Sequence, residues 1–508
     1  MPTSINTNVM SLNAQLNLAS SQTSLATSLE RLSSGLRINT AADDAAGFAI
    51  TQQMTAQING INQAAQNAND GISMAQTAQG GLNAEIGLLQ SMRTLAVQAA
   101  NGTNSASDRQ AIQSQIAQLQ QELSRTALST QFNGQNILDG TMSDAQFQVG
   151  SNAGQTINFG IANTQGSAIG NNAFSTSGSM TGAVATTTST ASGNGVGAQT
   201  MTVQGSLGSK NITINANDSA YTIATAVNNV SANTGVSATA LTQAELSGLA
   251  SGGTISFSLT GSNTTAVTIN ASVTSTSDLS SIANAINADT ASTGISAYAD
   301  QSGNLFMTQS QGYDIKLSNL TDSAIASGSV VANVQNFGTG ADTTAVSVVG
   351  GGSATVGGQI SFESSSAYTL HTSIAGGVAS GTGILNTTAA ANTNVGSTLN
   401  TVSNIDVTTV SNGVPTGANN AINTIDMALQ SLNTIAANLG SVQNRFQDTI
   451  TNLQTTSNNL SAARSRIQDT NFAQETSNLT RNQILQQAGT AMLAQANQLP
   501  NMVLTLLK

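Results

Sequence analysis

The chain has 508 residues, more than one compact core normally holds, so several domains are expected. Charged residues make up 7%, aromatic residues 3%, and cysteine is absent, which excludes disulfides and thiolate metal sites and argues against an enzyme pocket. The formal net charge of −11 argues against nucleic acid as a partner, because phosphate-binding surfaces need clustered Lys and Arg.

The first segment has an apolar stripe but no targeting pattern. "MPTSINTNVMSLNAQLNL" lacks a basic region and a continuous apolar run, so we expect no Sec-type signal peptide. No run of 18 apolar residues occurs, so we expect no membrane partner either. The leucine spacing predicts an amphipathic helix with the stripe Leu18, Leu25, Leu29, Leu32 and Leu36. In "SSGLRINTAADDAAG", Asp43 and Asp44 are expected to open the next helix, where acids favour the N-terminal dipole.

Two heptad series of equal length follow, one near each end of the chain. They run from Met54 to Ala96 and from Ile425 to Ile467, with apolar residues alternating at spacings of four and three. This spacing is typical of a coiled-coil seam, and the equal lengths predict one shared helical rod rather than two unrelated domains. The first seam is predicted at Ile58, Ile61, Ala65, Ala68, Ile72, Ala75, Gln79, Leu82, Ile86, Leu89, Arg93 and Ala96.

Between these series the pattern changes twice. A third helix is predicted from Asp108 to Thr126, after the turn-forming "NGTNSAS". "TQFNGQNILDG" and "AQFQVGSNAGQTINFGI" alternate apolar and polar residues around Asn-Gly and Asn-Ala-Gly, which predicts short β-hairpins. From about residue 171 to 417 the composition shifts to Gly, Ser, Thr, Ala and Val, which predicts a different kind of domain.

This middle region contains an internal repeat. Ile223–Ala240 aligns without gaps to Ile282–Ala299, and each copy follows a strand-like run ending in Thr-Ile-Asn-Ala. Each unit is predicted to consist of strands, a short helix and a further strand. Two such units are expected to form an α+β structure that is inserted between the two halves of the rod. His371 is the only histidine, so neither a catalytic triad nor a zinc site is expected, and we expect no enzyme and no cofactor.

The last segment has apolar residues at every seventh position. The row is Leu485, Met492, Leu499 and Leu506, and Met502 belongs to a second row that Gln495 interrupts. A helix pair formed by the two chain ends has one interface and leaves apolar surface facing outward. Exposed apolar surface of this kind indicates an interaction site.

Several long stretches at both ends resemble bacterial flagellin. They are "SLERLSSGLRINTAADDAAGFAI", "RTLAVQAANGTNSASDRQAIQSQI", "TQFNGQNIL", "LGSVQNRF" and "SAARSRIQDTNFAQETSNLTRNQILQQAGTAMLAQANQLP". The repeat in the middle resembles a small α+β motif of flagellins and hook-associated proteins. The resemblance implies a subunit that polymerises into the flagellar filament, outside the cell, after export of the unfolded chain by the type III system. It also implies an export chaperone, a cap protein and hook-associated proteins as partners.

The expected fold class is mainly α at the two ends, a long antiparallel coiled-coil rod with a short β-hairpin element, plus inserted β-rich or α+β outer domains. We expect a terminal domain from residues 1–44 with 468–508 and a rod domain from 45–177 with 416–467. Residues 178–415 are expected to form the outer domains, with the repeats at about 200–240 and 254–299. The apolar rows at both ends are predicted to pack between subunits.

Charged residues near the rod are candidates for polar contacts between subunits. Arg93 and Arg464 occupy seam positions, where they either reach along the rod to solvent or contact another subunit. The remaining candidates are Arg31, Arg37, Asp43 and Asp44.

One segment resembles the site that Toll-like receptor 5 recognises on many flagellins. Arg93, Leu95 and Gln98 match that motif, whereas Ser91 replaces an Arg and Gln115 replaces a Glu of strong agonists. Since the missing Arg removes charge-assisted hydrogen bonds, the resemblance predicts weakened recognition.

Two alternatives stay open at this point. A hook–filament junction protein of the same family shares both ends but does not polymerise indefinitely. A filament-borne adhesin would use the middle domain, for which the sequence offers no decisive motif.

Overall fold

The computed structural model describes residues 7–176, 183–188, 190, 193–336, 345–374, 384–385, 391, 393–410 and 414–505, with backbone only at 183–184 and 499–505. Long helices lie at both ends and strands lie between them, which confirms the predicted fold class. The helices are α1 (Val9–Ser34), α2 (Ala45–Ala99), α3 (Ala106–Ser129), α4 (Ala220–Asn228), α5 (Ser231–Thr234), α6 (Ser280–Ala288), α7 (Thr290–Thr293), α8 (Thr416–Gln468) and α9 (Phe472–Thr505), with a 3-10 turn at Val402–Asn404.

The strands occupy the interval between α3 and α8, apart from the short helices α4 to α7. They are β1 (Gln131–Phe132), β2 (Gln135–Asn136), β3 (Ala145–Gln148), β4 (Thr156–Phe159), β5 (Gly170–Ser175), β6 (Ala183–Thr186), β7 (Gln199–Gly205), β8 (Gly208–Ile214), β9 (Ser237–Ser247), β10 (Gly253–Thr260), β11 (Val267–Val273), β12 (Ile295–Ala299), β13 (Leu305–Gln309), β14 (Ile315–Asp322), β15 (Val330–Asn336), β16 (Val346–Val349), β17 (Gly352–Val356), β18 (Gln359–Ser364), β19 (Thr369–Thr372), β20 (Val395–Gly396) and β21 (Thr398–Thr401).

Residue contacts divide the chain into two compact units. Unit 1 comprises Met1–Gln79, Met142–Ile161 and Ala437–Lys508, and unit 2 comprises Gly80–Thr141 and Ala162–Ala436. The division into a terminal, a rod and an outer domain stays a prediction.

Unit 1 is a helical assembly with one hairpin. Here α2 runs antiparallel to α8, because Thr55 meets Arg464 and Asn62 meets Ser457. Hairpin β3–β4 packs on these helices through three phenylalanines. The ring of Phe446 lies edge-on to Phe147 and Phe159, with centroids 5.5 and 6.0 Å away. The predicted hairpin in "AQFQVGSNAGQTINFGI" is therefore confirmed.

The α8 seam is confirmed, and the α2 seam needs a correction. Ile425, Leu432, Leu439, Phe446 and Ile450, which belong to the second predicted series with spacings of four and three, are buried on α8. On α2 one predicted row is buried, namely Ile61, Ala68, Ala75, Leu82, Leu89 and Ala96. In the other predicted row Ile58 is buried as predicted, but from Ala64 onward the buried row lies one residue earlier than predicted, at Ala64, Gly71, Ala78, Glu85, Met92 and Ala99.

This offset has a steric and a polar cause. Gly71 leaves room for the ring of Phe446, since a Cβ atom there would lie 2.6 Å from the ring Cζ. Glu85 is buried because Thr164 hydrogen-bonds its carboxylate. The predicted row contained the larger apolar residues Ile72 and Ile86 instead, and both are only half-buried.

Unit 2 begins with helices. Ser105 and Asp108 form a capping box at the start of α3, and α3 buries Ile112, Ile116 and Leu123. The hairpin β1–β2 turns at Asn133 and Gly134, both with positive φ (49° and 76°), as the Asn-Gly pair predicts.

Three larger sheets fill the remainder of unit 2. Their strand orders are β11-β10-β14-β17-β6, then β12-β13-β9-β18-β5-β21 with β15 and β16 attached through β9, and β20-β19-β7-β8. Two separate apolar cores lie against α4 and against α6.

The predicted repeat is confirmed in atomic detail. Asn228 donates to the carbonyl of Ala238 and accepts from its N–H, both at 2.8 Å. Asn287, 59 positions later, does the same to Ala297 at 2.7 and 2.8 Å. Each copy is thus a helix clamped to the following strand by one asparagine.

Candidate functional site: the terminal helix pair

The helices at the two chain ends, α1 and α9, pack against each other in antiparallel orientation. Asn8 donates to the carbonyl of Ala496 at 2.8 Å, and Leu36 forms a backbone bridge with Asp469 at the opposite end. Leu18 faces Gly489, where an added Cβ would lie 3.3 Å from the leucine Cδ1. The seam on α1 follows heptad spacing through half-buried or buried residues, namely Ser11, Ala14, Leu18, Ser21, Leu25, Ser28, Leu32 and Gly35.

This pair has little core of its own. Among the described side chains of α1 and α9, only Ser28, Glu475 and Ala496 are buried, at 4, 7 and 6% exposure. Two of them are small and one is charged, so the interface removes little apolar surface from water.

Large apolar side chains instead face away from the pair. Val9, Leu12 and Leu16 lie on the side of α1 opposite the seam, with exposures of 59, 57 and 64%. The same is true of Ile484 on α9. The full set of exposed large apolar residues on the two helices is Val9, Met10, Leu12, Leu16, Leu29, Phe472, Ile484, Leu485 and Met492, called below the outward apolar face.

The predicted apolar rows divide between seam and outward face. Leu18, Leu25, Leu32 and Leu36 are half-buried, whereas Leu29 is 49% exposed. Leu485 and Met492 are 48 and 60% exposed, beside the seam, which runs instead through Leu479, Gln486, Gly489, Leu493 and Ala496. Leu499, Met502 and Leu506 lie outside the described side chains. Sequence reasoning missed Val9, Leu12, Leu16 and Ile484, although the spacing of the first three already carried the signal.

The acidic candidates in the loop after α1 bind backbone groups. Asp44 accepts from the N–H of Gly47 at 3.0 Å and so caps α2. Asp43 accepts from the N–H groups of Thr40 and Asn39, and these hydrogen bonds hold its pKa below the usual value.

The basic candidates nearby differ in the hydrogen bonds that their guanidinium groups form. The guanidinium of Arg37 donates to the carbonyl of Ile467 at 2.5 Å. Arg31 instead has a buried Nε that finds no hydrogen-bond partner among the described residues. Arg464 donates to Thr55 at 3.2 Å within unit 1.

The side chain of Arg93 does not pack in the seam and instead forms an ion pair with Asp426 of unit 2. Its Nε and Nη2 donate to the two carboxylate oxygens of Asp426, at 2.6 and 3.2 Å. Arg93 remains 45% exposed. The other residues of the receptor-like segment are also accessible, since Ser91, Gln98 and Gln115 are exposed and Leu95 is half-buried.

One buried ionisable residue was not anticipated. Glu85 on α2 is fully buried in unit 2, and its Oε1 accepts from the hydroxyl of Thr164 at 2.9 Å. Its Oε2 is buried and has no hydrogen-bond partner in the part of the chain that the structure describes. Burial raises the pKa of Glu85 to about 8, although the Thr164 hydrogen bond opposes this shift.

Two further findings concern the described part of the chain. Within it, no helix is long and apolar enough to cross a membrane. Nor do three His, Cys, Asp or Glu side chains come together there in a way that would hold a metal ion.

Comparison with known proteins agrees with this architecture. The model of the bacterial flagellin N-terminal helical region matches residues 5–143, and that of the C-terminal helical region matches 422–507. The flagellin hook IN motif matches twice, at 200–250 and 254–311, which are the two repeats. B-type flagellin of Pseudomonas aeruginosa is 43% identical over all of both chains. Flagellin A of Vibrio cholerae is 33% identical over all of both chains, and flagellin of Salmonella typhimurium is 36% identical over 99% of each. Helical ends, repeated motif and full-length relatives all agree, and the chain belongs to the bacterial flagellin family.

Proposed function

We propose that this chain is the structural subunit of a bacterial flagellar filament and serves swimming motility. The observation that carries the proposal is the outward apolar face, which a solitary subunit leaves in water. A contact between different patches of neighbouring subunits that does not close into a ring builds a helical polymer. In such a polymer, neighbours cover the outward apolar face.

The weak internal core of the helix pair supports assembly-coupled folding. Ordering one residue costs about 1–2 kcal/mol, whereas burying one large apolar side chain contributes about 1.5–3 kcal/mol. Three small or charged buried side chains do not offset the ordering of α1 and α9, which have 26 and 34 residues. We therefore expect both ends to be disordered in the free subunit and helical in the filament.

Further parts of the proposal concern export and partners. The subunit is exported unfolded through the flagellar type III system, with a chaperone on its C-terminal segment, and assembles outside the cell beneath a cap protein. Hook-associated proteins join the filament to its base. Three prolines and no cysteine suit this route, because slow X-Pro isomerisation and disulfide formation would delay folding at the growing tip.

The domain assignment belongs to the same proposal. Residues 1–44 with 468–508 form the inner domain and 45–177 with 416–467 form the rod around it. Residues 178–415 face outward. In this arrangement Arg31, whose guanidinium forms no ion pair with any described residue, is our first candidate for a polar contact between subunits.

Weak recognition by Toll-like receptor 5 is proposed as well. Ser91 and Gln115 offer neutral side chains, and Asp426 already occupies the guanidinium of Arg93. A reporter-cell dose response should be right-shifted from that of Salmonella typhimurium flagellin. A response of equal potency would contradict this.

Substitution of the outward apolar face tests the filament proposal. We expect Leu485→Gln with Met492→Gln to raise the critical concentration for seeded polymerisation at least about ten-fold, since two large apolar contacts are lost. Gln487→Ala is the matched control, because it changes an exposed polar residue of the same helix. Deleting residues 489–508 should leave a mostly folded, soluble monomer by circular dichroism and sedimentation.

Electron microscopy of the seeded wild-type protein separates the two family functions. Long tubes indicate a filament subunit, and short caps or none indicate a junction protein. Filaments that grow equally well from the double variant would contradict the assigned surface.

A further inference from the structure

An aromatic side chain and two carboxylates lie together on the eight-stranded sheet of unit 2. Tyr298 on β12 is directly opposite Phe306 on β13, and their rings stack with centroids 4.9 Å apart. The next residue across the sheet is Glu245 on β9, whose carboxylate accepts from Gln335 at 2.8 Å. Asp300 follows at the end of β12. We call Tyr298, Phe306, Glu245 and Asp300 the ring–carboxylate patch.

Tyr298 is the exposed member of the patch, and the two half-buried carboxylates of Glu245 and Asp300 make it electronegative. Strand β12 is the edge of its sheet, and Tyr298 is 37% exposed while it covers Phe306. Burial raises the pKa of the Tyr298 phenol, and the carboxylates of Asp300 and Glu245 raise it further. An aromatic face attracts cations, and so do the carboxylates beside it. The patch therefore suits an ammonium group attached to an apolar stem, and it repels anionic ligands.

The described middle region of the chain itself carries one side chain that meets this description. Only Lys210 and Lys316 are basic between Arg125 and Arg445. Lys316 lies 3.8 Å from the carboxylate of Asp314. Lys210 is exposed on β8 and makes no ion pair with any residue that the structure describes.

The surroundings of Lys210 complete the match. It follows the turn between β7 and β8, where Leu207 is 68% exposed. Leu207 has the highest exposure of the large apolar residues in the described chain. This β7–β8 tip, Leu207 to Lys210, thus offers an apolar side chain and an ammonium group next to each other, complementary to a ring next to carboxylates.

We infer that the β7–β8 tip of one subunit docks on the ring–carboxylate patch of a second copy of this chain. The inference rests on the proposed filament, which brings outer regions of many copies side by side. The tip belongs to one sheet and the patch to another, so the contact joins different surfaces and continues from copy to copy. Its role is to add a second, outer set of contacts to the polymer.

Thiol cross-linking tests the contact without changing either surface. The chain has no cysteine, so Ser206→Cys, next to the tip, and Ser296→Cys, beside Tyr298, introduce the only two thiols. A short bismaleimide applied to assembled filaments should produce a ladder of covalent multimers. Each single variant, and the pair Ser206→Cys with Ser272→Cys on exposed edge strand β11, should stop at dimers or below. Filaments that form but give no ladder, or an equal ladder from the control pair, would overturn the inference.

A charge exchange tests the chemistry. Lys210→Glu should raise the critical concentration of polymerisation about five-fold, and Lys210→Gln somewhat less. Adding Glu245→Lys to Lys210→Glu should recover most of that loss. Unchanged assembly of both Lys210 variants would refute the contact. Failure of the wild-type protein to form filaments, seen by light scattering, refutes the proposed function itself and the inference with it.

Discussion

The contact between Gly71 and Phe446 gives a sharp test of how unit 1 is packed. Gly71 lies inside α2, where alanine would normally stabilise a helix by about 0.5–1 kcal/mol. At this position a Cβ atom would approach the Phe446 ring to 2.6 Å at Cζ and 2.9 Å at Cε2. The ring is fully buried and is held by Phe147 and Phe159, so it has little freedom to withdraw. We expect Gly71→Ala to destabilise unit 1.

The magnitude follows from comparison with a second glycine. Gly440 lies in α8, also in unit 1, and an added Cβ there meets no atom within 4 Å. Both variants gain the same helix propensity, so their difference measures the overpacking alone. Forcing an extra methyl group into a packed core costs about 1–3 kcal/mol. Gly440→Ala should therefore be more stable than the wild type, and Gly71→Ala less stable than Gly440→Ala by that amount.

Urea unfolding followed by circular dichroism at 222 nm measures both variants under the same conditions. Equal slopes of the transitions would show that the same surface is exposed on unfolding. Polymerisation must be absent during the measurement, because neighbours in a filament stabilise the folded state. If Gly71→Ala proves as stable as Gly440→Ala, the close contact with the aromatic cluster does not exist and the corrected α2 seam is wrong.

The remaining predictions address other parts of the fold. Because folding raises the pKa of Glu85 from 4.5 to about 8, the wild type should lose about 5 kcal/mol of stability as pH rises from about 4.5 to 8. Glu85→Gln should flatten that dependence in thermal melts, and an unchanged slope would argue that Glu85 is hydrated. Asn228→Ala and Asn287→Ala should each cost about 1–3 kcal/mol and add without coupling, because each clamp serves a different core. Hydrogen exchange at Ala238 and Ala297 would detect each loss separately, and protection unchanged in both would contradict the clamp. Asp44→Ala should lower helix stability by about 1 kcal/mol through loss of the cap, and a Gly47 amide that exchanges no faster would contradict it.

Local rules account for much of the architecture. Heptad spacing predicted α2 and α8, because seam residues recur at every seventh position whatever the partner. Asn-Gly predicted the β1–β2 turn, since few other residue pairs accept two positive φ angles. The gapless repeat predicted two matching α+β units, and similar sequences in similar surroundings adopt the same local fold.

Side-chain partners depend on tertiary packing, which spacing alone does not contain. Arg93 matched a seam position, but the seam passes through Met92, so its guanidinium reaches Asp426 instead. Leu485 and Met492 form a regular row in the sequence, yet α1 packs against the row of α9 that contains Gly489. Glycine has no side chain, so Leu18 can approach the helix backbone there. Both differences depend on which residues the opposing helix presents, and that choice requires knowledge of the opposing surface.

The sequence by itself therefore determined the helical ends and the repeated insert, because period and composition act locally. Only the tertiary structure decided which face of each helix is covered and why a carboxylic acid sits in a seam. Those outcomes depend on residues hundreds of positions apart, whose meeting is set by the fold rather than by any local pattern.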